Sequence, residues 1–66
     1  MKVLLPLEKE HSEVSGIKTV RQLLSHFSFK EEEVLVVNKK DSRLLTSDDR
    51  LEDEMEIGII RVVSGG

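Results

Sequence analysis

The sequence predicts a small α+β domain, with a mixed sheet of four to five strands and one main helix packed on one face. Three observations support this prediction. The chain has 66 residues, which is enough for one small domain. One segment has apolar residues at helical spacing, and four or five short segments have the apolar pattern of strands.

The N-terminal segment indicates a strand followed by a weak returning strand. Met1–Leu7 is a short apolar run, and Pro6 lacks an amide donor, so the strand must end there or face an edge at that point. Glu8–Ser15 is polar, with Val14 as its one clear apolar residue. The length of this segment and Gly16 after it predict a hairpin with the first strand.

One clear helix begins at Thr19. Thr19 and Gln22 have the spacing of a capping box, in which each side chain accepts a hydrogen bond from the other residue's free amide. The helix should end near Phe27 or Ser28, and at two to three turns it needs a sheet to pack on. Its apolar stripe consists of Val20, Leu23, Leu24 and Phe27.

After the helix, a charged connector leads into a second pair of strands. Glu31–Glu33 forms this connector, and the β-branched run Val34–Val37 predicts a strand that ends at Asn38. Lys39–Ser42 has the composition of a turn, and Arg43–Leu45 indicates a short edge strand.

The last third of the chain predicts a turn and then the longest strand. Thr46–Leu51 indicates a single helical or 3₁₀ turn, in which Ser47, Asp48 and Asp49 act as caps. Met55–Val63 is the final strand. The first and last strands are the most apolar, so we expect them as parallel neighbours in the middle of the sheet. This arrangement is that of the ubiquitin-like β-grasp fold.

The sequence predicts that one face of the sheet stays uncovered, because one helix covers only one face. If Ile57 and Ile59 face the helix, then Ile60 and Val62 face away, since strand side chains alternate. An exposed apolar pair of this kind suits partner docking, and ordinary surface residues or self-association are the alternatives. The parity of Val34–Val37 stays open, because all four residues are apolar.

Composition argues against several classes of partner. The net charge of −3 and a pI of about 5.3 argue against nucleic-acid binding, which needs a basic face. No apolar run has the length of a membrane span, and the N-terminal run is too short for a secretory signal. The absence of cysteine excludes disulfides and thiolate chemistry and suits a reducing compartment. We therefore expect a cytoplasmic protein without nucleic-acid or membrane partners.

The polar residues predict neither a catalytic site nor a metal site. His11 and His26 are the only histidines, and the domain is too small for an obvious catalytic cleft. Glu31–Glu33 is interpreted as a solvated connector. Asp48 and Asp49 are interpreted as turn caps rather than paired acid–base carboxylates.

The C-terminal Ser64-Gly65-Gly66 is the candidate functional segment. Glycine buries no side chain and loses much backbone entropy on ordering, so a glycine pair contributes little to a fold. A backbone without Cβ atoms can instead enter a narrow channel and present its carboxylate. We predict a β-grasp domain over residues 1–61 and a flexible tail over 62–66. In this tail Ser64 and Gly65 thread through the channel, and Gly66 reacts.

Three segments, in this order and at this chain length, together point to one family. They are Thr19-Val20-x-x-Leu23-Leu24, Val34–Asn38, and Met55-Glu56-Ile57 through Arg61-Val62-Val63-Ser64-Gly65-Gly66. Through them the chain resembles the ThiS/MoaD-type sulfur carriers of the ubiquitin-like superfamily, and ThiS most closely. Its ending is similar to the Arg-Ala-Val-Gly-Gly-Gly of thiamine sulfur carriers, whereas molybdopterin carriers tend to be longer and to end in Pro-Pro-Val-x-Gly-Gly.

The chain departs from the family pattern at two positions. Asn38-Lys39-Lys40 stands where the family often has Asn-Gly-Glu, and Glu52-Asp53-Glu54 stands where it often has Asp-Gly-Asp. Neither departure touches the glycine pair, but both bear on which pathway the protein serves.

The resemblance implies a carrier that is not itself an enzyme and binds no cofactor. A ThiF/MoeB-like enzyme would use ATP to adenylate the Gly66 carboxylate, and a sulfur donor would convert it to a thiocarboxylate. A sulfur-accepting synthase would then receive the sulfur for thiamine-like biosynthesis, or secondly for molybdopterin-like biosynthesis. Two alternatives stay open: a ubiquitin-like modifier joined through Gly66 to lysines, and a β-grasp interaction module with an inert tail.

Overall fold

The computed structural model describes residues 1–6 and 8–62, which form one five-stranded mixed sheet and one α-helix. A short 3₁₀ turn at Glu31–Glu33 precedes the third strand. The other elements, in chain order, are β1 (Lys2–Leu4), β2 (Ser12–Glu13), α1 (Val20–His26), β3 (Val34–Asn38), β4 (Arg43–Leu45) and β5 (Glu56–Arg61).

The strand order in the sheet is β2-β1-β5-β3-β4. β1 and β5 are parallel, with Val3 opposite Ile57, and the other neighbouring strands are antiparallel. The prediction that the first and last strands are parallel neighbours is therefore confirmed. The longest pairing joins β5 to β3, from Val34 opposite Arg61 to Asn38 opposite Ile57.

The first and last strands of the chain are both shorter than the sequence pattern predicts. β1 ends at Leu4, because the chain then turns at Pro6 and the Glu8 amide donates to the Leu5 carbonyl at 3.1 Å. β5 begins at Glu56 rather than Met55, and it ends at Arg61. The Met55 amide is used in a turn, where it donates to the Glu52 carbonyl at 3.1 Å. The predicted end of this strand, Val63, lies outside the described residues.

The hydrophobic core lies between α1 and one face of the sheet. The helix contributes Val20, Leu23 and Leu24, and each fully buried aliphatic side chain contributes about 1.5–3 kcal/mol to the free energy of unfolding. The predicted helical stripe is thus confirmed, with Phe27 half-buried at its edge. The side chains buried most completely are Leu23, Ile57, Val3 and Val20.

Side-chain and backbone oxygens accept hydrogen bonds from the first amides of the helix. The Gln22 amide donates to Thr19 Oγ1 at 3.2 Å, as the capping box predicts. The Gln22 side chain, however, accepts from the Lys18 amide at 2.8 Å rather than from Thr19. The amides of Val20 and Arg21 donate to carbonyls of the segment at 46–51. A seven-residue helix is thereby fixed to the rest of the fold at its N-terminus.

The segment 46–51 contains a single turn, closed by an i→i+3 hydrogen bond at Thr46–Asp49, which agrees with the predicted single turn, but it forms no helix. The Asp49 amide donates to the Thr46 carbonyl at 3.0 Å, and the Asp49 carboxylate accepts from the Thr46 amide at 2.7 Å. The chain then becomes extended, and Arg50 forms an antiparallel bridge with Thr19. The carbonyls of segment 46–51 accept hydrogen bonds from the first amides of α1, and the segment itself does not continue as a helix. The charged connector Glu31–Glu33, in contrast, does form a 3₁₀ turn.

The helix ends in a Schellman motif with serine where glycine is usual. The Phe29 amide donates to the Leu24 carbonyl at 2.8 Å, and the Ser28 amide donates to the Ser25 carbonyl at 3.2 Å. This geometry requires Ser28 to adopt a φ of 63°. The left-handed conformation is unfavourable for a residue with a Cβ atom.

We predict that Ser28→Gly raises the free energy of unfolding by about 0.5–1 kcal/mol, because glycine adopts this φ without a steric cost. The measurement is urea denaturation of the variant and the parent chain. Gly16→Ala is the matched control. Gly16 has a φ of 78°, and a methyl group there would meet no atom within 4 Å, so the substitution isolates backbone strain and should destabilise. Equal stability of all three proteins would contradict this account.

Candidate functional site

The sheet has one face against the helix and one face that no helix covers in the described part of the chain. Side chains of β5 alternate between them: Ile57 is 0% exposed and Ile59 is 3% exposed, whereas Ile60 is 51% exposed. The parity predicted for these three residues is therefore confirmed. We call the surface on the side of Ile60 the open face.

The structure also decides the parity of β3. Val34 and Val36 are buried toward the helix, and Leu35 is 42% exposed on the open face. Leu35 lies opposite Ile60 in the sheet, and Val37 lies opposite Gly58. Apolar side chains of β3 and β5 thus form a continuous apolar surface on the open face.

A groove of about 740 Å³ lies on the open face. Gly58 is in its floor, between Leu4 of β1 and Val37 of β3, which are its partners in the sheet. Because Gly58 has no side chain, the surface is lower at this position in the centre of the sheet, and the groove lies over it. The residues that line this open-face groove include apolar Leu4, Leu5, Pro6, Val37 and Ile60 and charged Glu8 and Lys39. Arg61 also borders the groove, but it lies opposite Val34 in the sheet, so its side chain is on the helix side.

Sequence reasoning identified Ile60 but missed Leu4, Val37, Gly58 and Lys39 as parts of this surface. A signal was present for Gly58, because glycine inside a strand often marks a place where another group approaches closely. No comparable signal existed for Lys39, which reaches the groove only through the pairing of β3 with β5.

Val62 marks the start of the C-terminal segment. It follows β5, is half-buried, and donates its amide to the Glu33 carbonyl at 2.9 Å. This hydrogen bond fixes the chain beside the 3₁₀ turn at the point where it leaves the sheet. Val62 is not among the residues that line the open-face groove. The predicted threading and reactive residues Ser64, Gly65 and Gly66 lie outside the described residues.

In the described part of the chain, the histidines and acidic residues form no cluster that suggests a metal ion. His11 and His26 are exposed, and the His26 ring packs edge-on against Phe27 at 4.8 Å between ring centroids. Within residues 1–6 and 8–62, no group of three or more histidine, aspartate or glutamate residues is placed to hold a metal ion. In the same part of the chain, no helix has the length and apolarity needed to cross a membrane.

Comparison with protein-family models gives a match to the ThiS family over residues 3–66, which includes the glycine pair. The chain belongs to the ThiS family. Proteins of this family are small carriers rather than enzymes, and membership supports a sulfur-carrier role in cofactor biosynthesis. The fold agrees with the β-grasp arrangement expected for such a carrier. A search of curated proteins gives no significant match.

We predict that aspartate strongly destabilises the fold at Ile59 of β5 and is tolerated at the neighbouring Ile60. Ile59→Asp should lower the free energy of unfolding by about 3 kcal/mol or more, because it buries an unpaired charge in the core. Ile60→Asp should cost less than about 1 kcal/mol, because Ile60 is half-exposed on the open face. Thermal melting of both variants tests this. Greater destabilisation by Ile60→Asp would reverse the assignment of the two faces.

Proposed function

We propose that this ThiS-family chain carries sulfur as a thiocarboxylate on Gly66. The Gly66 carboxylate would attack the α-phosphate of ATP on an activating enzyme, forming an acyl adenylate and releasing pyrophosphate. A donor that supplies sulfur at the sulfide oxidation level would then attack the acyl carbon. AMP leaves with the electron pair of the broken C–O bond, and a C–S bond takes its place.

The single observation behind this proposal is that the family match extends through Gly66. The chemistry of the segment agrees with it. Gly65 has no Cβ atom, so the backbone at this point is as narrow as a polypeptide can be. Adenylation is needed because a carboxylate is a poor acyl donor, whereas AMP is a good leaving group.

The open face is the surface on which we propose that the activating enzyme docks. Ile60 lies in the open-face groove, and Val62 stands between this groove and the reactive segment. Gly66 is six positions after Ile60, so an extended chain would span roughly 20 Å between them. One partner can therefore hold the sheet at Ile60 while it receives the Gly66 carboxylate.

Thiamine-like biosynthesis is the pathway we propose first, and molybdopterin-like biosynthesis second. The ordering follows from the similarity of Arg61–Gly66 to the Arg-Ala-Val-Gly-Gly-Gly motif of thiamine sulfur carriers. The partners are then a ThiF/MoeB-like adenylating enzyme, a sulfur donor and a sulfur-accepting synthase in the cytoplasm. The partner enzyme, and not the carrier, would use ATP.

We predict that the chain purified from its native cell contains a fraction whose C-terminus has exchanged one oxygen for sulfur. Intact-mass analysis measures this exchange. Removal of Gly66 should abolish it without unfolding the domain, because glycine has no side chain to contribute to the core. Gly65→Val should reduce it, because a β-branched residue widens and stiffens the backbone.

Two results would count against the carrier function. Thiocarboxylate on the chain that lacks Gly66 would show that another residue reacts. Covalent adducts between Gly66 and lysines of other proteins, with no thiocarboxylate on the free chain, would identify a ubiquitin-like modifier instead.

We also predict that Ile60→Asp weakens binding to the adenylating enzyme by about 1.5–3 kcal/mol, which is the contribution of one buried aliphatic side chain. Titration calorimetry measures the change in affinity. Ser25→Asp is the matched control, because Ser25 is exposed on α1, on the other side of the sheet, and the substitution adds the same negative charge there. Equal losses in the two variants would mean that docking does not depend on the open face.

A further inference from the structure

Met55 is the methionine that a small reagent in solvent can reach. The sequence contains two methionines and no cysteine, so their thioethers are the only side-chain sulfur atoms. Met1 is 3% exposed. Met55 is half-buried, and it packs against the hydrophobic core from the turn that precedes β5. The two sulfur atoms therefore differ in their access to a dissolved oxidant.

Met55 closes the turn at 52–55 with two hydrogen bonds. Its amide donates to the Glu52 carbonyl at 3.1 Å, and its Sδ accepts from the Glu52 amide at 3.3 Å. Its carbonyl accepts from the Lys2 amide at 3.1 Å, where β1 begins. A chemical change at this sulfur therefore acts at the point where the two central strands, β1 and β5, both start.

A polar pocket of about 300 Å³ lies beside Met55, and its other lining residues are Asn38, Lys40, Glu52 and Glu54. Asn38 Oδ1 accepts from the Lys40 amide at 3.1 Å, which leaves the Asn38 NH₂ group as a donor. Lys40 has an ammonium group with three further donors. The pocket is much larger than the ~30 Å³ of a water molecule in the liquid. It can admit hydrogen peroxide and offer donors to an oxygen atom added to the sulfur.

The hydrogen bond to Sδ makes the two sides of this sulfur unequal. A thioether sulfur has two lone pairs, and oxygen transfer to one or the other gives one or the other sulfoxide epimer. In Met55 the Glu52 amide engages one lone pair. The second lone pair is then the one available to an oxidant, so the geometry favours a single epimer.

We propose that Met55 is an oxidation site, at which a peroxide forms mainly one sulfoxide epimer and thereby loosens the turn at 52–55. The free lone pair of Sδ attacks one oxygen of hydrogen peroxide, so an S–O bond forms as the O–O bond breaks. The departing hydroxide takes the proton of the transferred oxygen and becomes water. Sulfur loses two electrons, and the peroxide gains them. This site is separate from the open-face groove, and the inference does not depend on the carrier function.

The sulfoxide should weaken the fold reversibly. It replaces an apolar contact with the core by a polar group, which is the usual consequence of methionine oxidation. We expect the melting temperature to fall by about 4–8 °C, as is typical when a domain of this size loses one moderate contact. The amides of Lys2 and Glu52 should exchange faster with solvent, because both donate to atoms of Met55.

The test exposes the folded chain to limiting hydrogen peroxide and locates the added oxygen by peptide mass analysis. Stereospecific methionine sulfoxide reductases, one for each epimer, then measure the epimer ratio. Met55→Leu removes the thioether and keeps an apolar side chain of similar size. The matched control for the epimer ratio is the double variant Met55→Leu/Leu44→Met, which moves the thioether to a position that is 61% exposed on β4.

We expect Met55 to oxidise at least about tenfold faster than Met1. One reductase should repair most of the Met55 sulfoxide, whereas each should repair about half of the sulfoxide at position 44 in the double variant. Repair should restore the melting temperature. The Met55→Leu chain should keep its melting temperature under the same peroxide treatment.

Three results would overturn the inference. Oxidation of Met1 as fast as that of Met55 would show that the structure does not select the site. Equal amounts of the two epimers at Met55 would show that the Glu52 amide does not shield the sulfur. An unchanged melting temperature, with unchanged exchange at Lys2 and Glu52, would show that the sulfoxide leaves the turn intact.

Discussion

A single seven-residue helix has to cover a five-stranded sheet, and it can cover only one of its two faces. Side chains alternate along each strand, so every apolar residue directed away from the helix is left to solvent or to a partner. Here that surface includes Leu35, Leu44 and Ile60, which are the large apolar side chains exposed in the described part of the chain. The open face is therefore a consequence of the architecture.

The central strand joins this surface to the core and to the C-terminal segment. In β5, Ile57 and Ile59 are packed beneath the helix, while Gly58 and Ile60 belong to the open-face groove. The chain then continues through Val62, which is held to the Glu33 carbonyl. Neighbouring positions of one strand thus have unrelated roles. The buried residues fix the strand in place, and the exposed ones are available to a partner.

The helix itself depends on contacts outside its own sequence. Seven residues are too few for a stable helix in water. The turn at Thr46–Asp49 supplies carbonyl partners for its first amides, and the Schellman motif at Ser28 closes its last turn. Both ends of α1 therefore have hydrogen-bond partners, and those from the turn tie the helix to a distant part of the chain. The anchored helix therefore shields one face of the sheet from solvent although it is only two turns long.

The sequence by itself determined the types and order of the main elements, because apolar spacing, the Thr19 cap and the β-branched runs are local signals. It also determined the parallel pairing of β1 and β5 and the alternation from Ile57 to Ile60. The family could be recognised from the motifs that end in Gly65-Gly66. Each of these inferences needs only residues that are close in the chain, or the order of elements along it.

Only the tertiary structure decided the parity of β3, because four consecutive apolar residues at Val34–Val37 fit either phase of the alternation. It also decided the end of β1, the turn at 46–51, and the Lys18 amide as the partner of Gln22. The groove arose in the same way. Lys39 meets Gly58 only because the register of β3 against β5 brings together residues that are far apart in the chain. An alternating hydrophobic pattern would specify the register of a strand, but Val34–Val37 has no alternation, so packing across the sheet decided it.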